Sequence, residues 1–225
     1  VTVEAVLFDY SGTLFRLEDD ESWAADLITE DGRPMDADES AEILRRMTQP
    51  VGPVLELDER TRFAWERRDL DPALHRAAYL TVLRRSGLPG DRAERLYDRM
   101  VDPHAWTPYP DTGKVLEGLA AQGVPIAIVS NIAFDVRPAF AARGWDAHIT
   151  AFALSYEIGA VKPDPAIFDW ALERVGTRHA LMVGDSVEAD GAATAVGCRF
   201  AHVEPLPTLD RRTGLLDALA PYGLP

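Results

Sequence analysis

Cysteine is nearly absent from this chain: Cys198 stands alone among 225 residues. No intrachain disulfide can form, so the fold must be held by its core. Lysine and asparagine are almost as scarce. Lys114 and Lys162 are the only lysines, and Asn131 is the only asparagine. Positive charge is short overall, with 23 Lys and Arg against 37 Asp and Glu and a net charge of −14. A surface of that sign repels nucleic acid and anionic membranes, and neither is expected as a partner. Anionic substrates gain no long-range help either, so a phosphate site would have to supply positive charge locally. No apolar run approaches a membrane span in length. The first strand is expected from about Val3, which leaves no room for a leader, and the expected location is cytoplasmic.

What is present is a chain 47% hydrophobic, enough for a real core, in a length that suits one domain or one with a sizeable insertion. Where Lys and Asn persist in an arginine-dominated composition, a specific chemical need is expected. "VEAVLFD" (3–9) has the β-branched and aromatic content of a buried strand bounded by Gly12. Residues 17–105 differ. They are charged and arginine-rich, with helical spacing in 59–69, 72–86 and 91–100, punctuated by Pro72, Pro89 and Gly90. Little there resembles a strand.

After "TPYPDTG" the pattern alternates. Asp111 is placed to cap a helix over 112–121, closed by Gly123. Strands are expected at 124–130, 151–155, 180–184 and 199–203, with helices at 134–143, 164–175 and 188–196 between them. Such alternation predicts an α/β fold: a Rossmann-like parallel sheet with helices on both faces. Residues 1–16 and 106–225 would form this core, interrupted by the helical segment 17–105. Ligands of such sheets sit at the carboxyl ends of strands. Those positions hold Asp9 and Ser11, then Ser130 and Asn131, then Lys162 in a following loop, then Asp185, Ser186 and Asp190. The one Asn and one of the two Lys are among them.

These residues resemble the four motifs of the haloacid dehalogenase superfamily, mostly Mg²⁺-dependent phosphatases. "FDYSGTL" resembles the first motif, "IVSN" the second, "VKPDPAIF" the third and "VGDSVEAD" the fourth. The resemblance implies Asp9 as nucleophile and Ser130 and Lys162 as groups that hold the transferring phosphoryl. It also implies Asp9, Asp185 and Asp190 as acids around Mg²⁺, with the Ser11 backbone carbonyl as a further ligand. Three converging carboxylates repel one another, and a hard divalent cation relieves that. Asp190 could instead orient Lys162. Gly12 would let the backbone approach a phosphate, and Thr13 would support the turn. Asn131 would either orient nucleophile or substrate, or cap helix 134–143. Segment 17–105 resembles the cap that this superfamily inserts after its first strand. Of its side chains, Arg45, Trp65, Arg67, Arg68 and His75 could face substrate, but solvated surface is the expectation for them. Trp23 and Phe15 are expected to pack the hinge.

Ser11 departs from the pattern, because the family's phosphatases carry a second Asp there. That Asp would protonate the leaving group and then activate water. Its loss is worth about 10²–10⁴ in rate. Two branches lack it. One cleaves carbon–phosphorus bonds through a cap lysine, which segment 17–105 does not contain. The other displaces halide from 2-haloacids and needs no metal-binding acids, whereas this chain keeps them. The expected function is therefore Mg²⁺-dependent hydrolysis of a small phosphorylated metabolite through an aspartyl-phosphate on Asp9. A 2-haloacid dehalogenase-like hydrolase and a slow or non-catalytic binding protein are the alternatives.

Overall fold

The computed structural model describes residues 2–18, 23–48 and 57–225. Strand β1 (Ala5–Phe8) runs through the middle of the main sheet. The chain then forms the short β2 (Phe15–Arg16) and leaves on a helical excursion. That excursion carries α1 (Ala37–Thr48), α2 (Glu59–Glu66), α3 (Pro72–Arg85) and α4 (Gly90–Val101). It returns as β3 (Thr107–Pro108), antiparallel to β2, with Phe15 opposite Pro108 and Arg16 opposite Thr107. Exit and return therefore lie side by side. After them come α5 (Thr112–Ala121), β4 (Ile126–Ser130), α6 (Arg137–Ala141), β5 (Ala151–Leu154), α7 (Ser155–Ile158) and α8 (Pro165–Val175). The chain ends through β6 (Ala180–Gly184), β7 (Arg199–His202) and α9 (Gly214–Leu219). The sheet order is β5-β4-β1-β6-β7, and every neighbouring pair is parallel.

Period-two alternation sorts the strand residues onto two faces. Val6, Phe8, Ile126, Ile128, Leu181 and Val183 share one core cluster with Val115, Leu119 and Phe140. Ala5, Leu7, Ala127, Val129 and Met182 share the other with Ile167, Phe168 and Leu172 of α8. Both faces are covered, so β1, β4 and β6 are buried along their whole length and read in sequence as unbroken apolar runs. Each fully buried Leu or Phe side chain contributes about 1.5–3 kcal/mol. The first cluster continues into the excursion through Trp23, Ile43, Leu83 and Leu96. Phe15 stacks on Tyr10 at 4.9 Å and meets Phe140 edge-on at 5.1 Å. Trp23 is buried beneath the Arg99 guanidinium, 4.6 Å from its ring centroid. Both residues pack where the excursion meets the sheet core.

The elements differ from the sequence reading in several places, and the short helices α7 and α9 were not expected. Helix α1 was not anticipated, although it opens on a capping box. The Glu39 N–H donates to Asp36 Oδ1, and the Asp36 N–H donates to Glu39 Oε2, both at 2.9 Å. The helix expected over 188–196 is a 3₁₀ helix over Gly191–Val196. Asp190 ends a turn closed on Ser186, and left-handed Gly197 stops the segment after six residues. Helix α6 covers 137–141 rather than 134–143, because the chain is still turning through 133–136. Asp111 does not cap its own helix. Its Oδ2 instead accepts the Leu215 and Leu216 N–H groups of α9, at 2.8 and 3.2 Å.

Candidate active site

Asp9 stands one residue past β1, its N–H still bonded to the Val183 carbonyl at 3.0 Å. Its carboxylate is buried and fixed from two sides. Lys162 Nζ lies 2.7 Å from Asp9 Oδ1, and Thr13 Oγ1 lies 3.3 Å from Asp9 Oδ2. Thr13 thus steadies the carboxylate itself as well as the turn. The same ammonium donates to Asp190 Oδ1 at 2.6 Å. Asp190 Oδ2 accepts the Ser186 N–H at 2.9 Å, so both its oxygens are engaged by the protein. Asn131 neither caps a helix nor touches the nucleophile. Its Nδ2 donates to the Lys162 carbonyl at 2.9 Å, and its Oδ1 accepts the Lys162 N–H at 2.7 Å. The chain's single Asn thereby grips the loop that aims its one buried Lys.

Two glycines make room for the acids. Gly12 has φ +75°, and a Cβ there would lie 2.4 Å from Asp185 Oδ2. A Cβ on Gly184 would lie 2.1 Å from Asp190 Oδ2. Arg211, which the sequence reading passed over, clamps the same turn from the far end of the chain. It is buried over the Tyr109 ring, and its Nη1 donates to the Gly12 carbonyl at 2.6 Å and to the Glu204 carbonyl at 3.0 Å. Its Nη2 donates to the Thr13 carbonyl. No local pattern marks Arg211, since the turn it clamps lies 199 residues earlier.

Asp9, Asp185 and Asp190 each place an oxygen within 4.8 Å of the others, so the cluster could hold a metal ion. Burial raises the Asp9 carboxyl to about 7 against the pull of Lys162, with Asp190 and Asp185 adding to the rise. Burial also raises Asp185, to about 6, with Asp190 again adding. For Lys162, burial opposes the charged form, yet Asp190 and Asp9 outweigh it and hold the ammonium above its ordinary value. Three carboxylates facing one ammonium leave an excess of negative charge. That is the chemistry of a site built to receive a cation.

A cavity of about 470 Å³ opens over these groups, with Ser11, Ser130 and Asn131 in its wall. The excursion supplies the opposite wall through Met47, Arg68, Asp69, His75, Tyr79 and Met100. Arg45 and Arg67 are surface groups, as expected. Arg45 pairs with Glu42 at 2.7 Å, and Arg67 lies over Phe63. Trp65 is buried against Tyr79, with ring centroids 5.5 Å apart. Trp65, Arg68 and His75 correct the expectation of solvated surface. The 3₁₀ turn Arg68–Leu70 folds Arg68 back over the Trp65 ring at 4.5 Å, with Nη1 donating to the Trp65 carbonyl at 2.7 Å.

His75 Nδ1 lies 3.0 Å from Tyr97 Oη, and burial, helped by Arg68, lowers the imidazole from 6.5 to about 3. The native state therefore holds His75 neutral where the unfolded chain takes up a proton. Its stabilisation is complete above about pH 6.5 and is lost as pH falls toward 3. Thermal unfolding from pH 7 to 4 should show His75→Gln with a flatter decline than the parent. An equally steep decline would place the protonation elsewhere.

Residues 3–197 match the haloacid dehalogenase-like hydrolase family. Ribulose-1,5-bisphosphate 5-phosphatase of Halopiger xanaduensis is 38% identical over 100 residues, 43% of this chain and 42% of that protein. Haloacid dehalogenase-like hydrolase domain-containing protein 3 of Mus musculus is 30% identical, over 59% of this chain and 57% of that one. Phosphoglycolate phosphatase of Aliivibrio fischeri is 32% identical, over 44% and 48%. The chain spans about half the length of these curated relatives. Among solved structures, the HAD-hydrolase YfnB of Bacillus subtilis superposes with a TM-score of 0.65 at 19% identity, covering 96% of this chain and 100% of that one. L-2-haloacid dehalogenase of Xanthobacter autotrophicus superposes with a TM-score of 0.62 at 25% identity, covering 96% and 83%. With the sheet, the four strand-end motifs and the family match in agreement, this chain belongs to the haloacid dehalogenase-like hydrolases.

Proposed function

We propose that the protein is a Mg²⁺-dependent hydrolase of small phosphate monoesters, with Asp9 as nucleophile and segment 17–105 as a cap over the site. The observation that carries this reading is the excess of buried carboxylate. Asp185 serves no ion pair among the described residues, and displacement of halide would have no use for it. Named phosphatases among the relatives support the same choice. A cytoplasmic setting fits the single, buried Cys198.

Asp9, Asp185 and the Ser11 carbonyl would hold the cation. Asp190 is engaged with Lys162 and Ser186, which makes it a positioning residue. When bound, the cation supplies positive charge to the carboxylates and to the phosphoryl oxygens. The chain's own groups do the rest. The Asp9 carboxylate attacks phosphorus and forms the aspartyl-phosphate. Lys162 and Ser130 place a cation and a hydroxyl against the equatorial oxygens, where charge is spread in the transition state. Asn131 fixes the Lys162 backbone, and Asp190 fixes its ammonium.

A second reading has Ser11 in its favour: a dehalogenase, in which Asp9 displaces halide. Two assays on one preparation separate the readings. Turnover of 4-nitrophenyl phosphate should exceed an Asp9→Ala blank and require Mg²⁺, while 2-chloropropionate releases no halide. Asp185→Ala should weaken Mg²⁺ binding in calorimetry by about tenfold or more. Metal-independent halide release that Asp9→Ala abolishes would decide for dehalogenation.

A further inference from the structure

Ser11 leaves the phosphohydrolase chemistry without its proton carrier, and the cavity shows where one stands. In an in-line displacement, the leaving oxygen lies on the far side of phosphorus from the nucleophile. Asp9 occupies the sheet side, so the leaving group points at the wall built by the excursion. That wall contains Arg68, Asp69, His75 and Tyr79 as its ionisable groups among the described residues. An arginine holds its protons throughout. Tyr79 is fully buried and has its phenol held above its ordinary value by that burial. His75 is bonded to Tyr97 and resists protonation. Asp69 remains.

We propose that Asp69 is the catalytic general acid and base of this enzyme, doing from the cap the work that a second first-motif Asp would do from the core. Three features of its placement support this. Its backbone is tied to the core: Ser155 Oγ accepts the Ile132 N–H at 2.9 Å and directs its own proton toward the Asp69 carbonyl at 2.5 Å, with the Ile132 carbonyl at 3.1 Å. Ser155 follows β5 and Ile132 follows β4, so the turn carrying Asp69 is registered against the strand ends that carry the site. Next, its carboxylate is uncommitted. The Asp9 and Asp190 oxygens all accept hydrogen bonds, whereas Asp69 has only a long ion pair to Arg68, at 3.6 Å, among the described residues. Finally, its surroundings suit both protonation states. Burial raises the carboxyl, and Arg68 and Lys162 pull it back. The groups facing it are Arg68 on its own turn, Tyr79 and His75 from α3, and Lys162 from the core.

The steps balance. As Asp9 Oδ bonds to phosphorus, the bond from phosphorus to the leaving oxygen breaks, and the Asp69 proton passes to that oxygen to give an alcohol. Water then enters the vacated position and gives a proton to the Asp69 carboxylate. Its oxygen bonds to phosphorus, and the Asp9–phosphorus bond breaks. Phosphate leaves, and both aspartates regain their starting forms.

This assignment rests on the phosphohydrolase reading, and the test keeps the two apart by varying the leaving group. 4-Nitrophenolate leaves without a proton, whereas the alkoxide of 2-phenylethyl phosphate does not. Asp69→Asn should keep the first turnover of the nitrophenyl ester to within a few-fold while losing about 10²–10⁴ on the alkyl ester. It should also show a nitrophenolate burst and a phosphoryl adduct by intact mass, because the second step has lost its base. In that variant Ser11→Asp should return alkyl turnover by about tenfold or more. The parent protein gives a check independent of any substitution. Its ratio of alkyl to aryl first-turnover rates should fall as pH rises, because only the alkyl ester needs protonated Asp69. Equal losses on both esters, no loss on either, or a ratio flat in pH would overturn the role of Asp69 alone. Absence of turnover above Asp9→Ala on both esters would overturn the phosphohydrolase reading with it.

Discussion

Lys162→Met should be the most damaging single change at the site. The Lys162 side chain is 3% exposed and lies within 2.7 Å of two carboxylates that are themselves 8% and 1% exposed. Removing it leaves Asp9 and Asp190 facing each other and Asp185 with only the weaker pull of Arg211. Breaking a buried pair from one side costs about 3–5 kcal/mol. In a chain of this length that corresponds to a fall of about 10 °C in the metal-free melting temperature. The effect on rate is separate. A cation fixed against the phosphoryl oxygens is worth about 10²–10³ in turnover. Thermal unfolding with and without Mg²⁺, beside steady-state kinetics on 4-nitrophenyl phosphate, reads both. Mg²⁺ should return part of the lost stability, because it neutralises the same carboxylates, and little of the lost rate. An unchanged melting temperature would show that the acids relax to solvent and are not held together by Lys162.

The parts of this site that sequence made legible are those fixed by a strand end. Asp9, Ser130 and Asp185 each follow a buried apolar run, and a parallel sheet carries such positions to one edge whatever else the chain does. Lys162 and Asn131 stood out by their rarity, and their mutual grip gives that rarity a physical reason. What sequence did not reveal depends on packing between distant segments. Arg68 and Arg67 are neighbours with the same chemistry. One folds onto Trp65 and lines the cavity while the other lies over an exposed Phe63, and only the 3₁₀ turn after α2 decides between them. Asp69 was invisible for the same reason. Its role follows from Ser155, 86 residues later, which holds its carbonyl. Asp111 reads locally as a cap for the helix that it precedes. In three dimensions it caps α9, about 100 residues away. Helix α1 was legible and missed: Asp36 and Glu39 carry the spacing of a capping box ahead of Ile43 and Met47.

Asp9→Asn should move activity and stability in opposite directions. An amide cannot attack phosphorus, so turnover should fall by about 10⁴ or more, to the Asp9→Ala blank, with no phosphoryl adduct on the chain. The fold, in contrast, should gain. Asp9, Asp185 and Asp190 crowd within 4.8 Å around one ammonium, and burial disfavours the charged form of Asp9 most of all. A neutral isostere removes one of those charges and keeps its shape. Lys162 retains Asp190 at 2.6 Å, so no cation is stranded. The metal-free protein should gain about 1–2 kcal/mol, the size typical of a stabilising substitution, or about 2–8 °C in melting temperature. Mg²⁺ should stabilise the variant less than the parent, since one anionic ligand is gone. The paired result carries the meaning. Lys162→Met lowers stability by removing the ammonium that pairs with Asp9 and Asp190, while Asp9→Asn raises it by removing a negative charge, and both lower turnover. A site assembled for folding alone would have balanced its charges. Should Asp9→Asn melt below the parent while keeping measurable turnover, Asp9 would be a structural partner of Lys162, and the nucleophile would have to be sought elsewhere in the cavity.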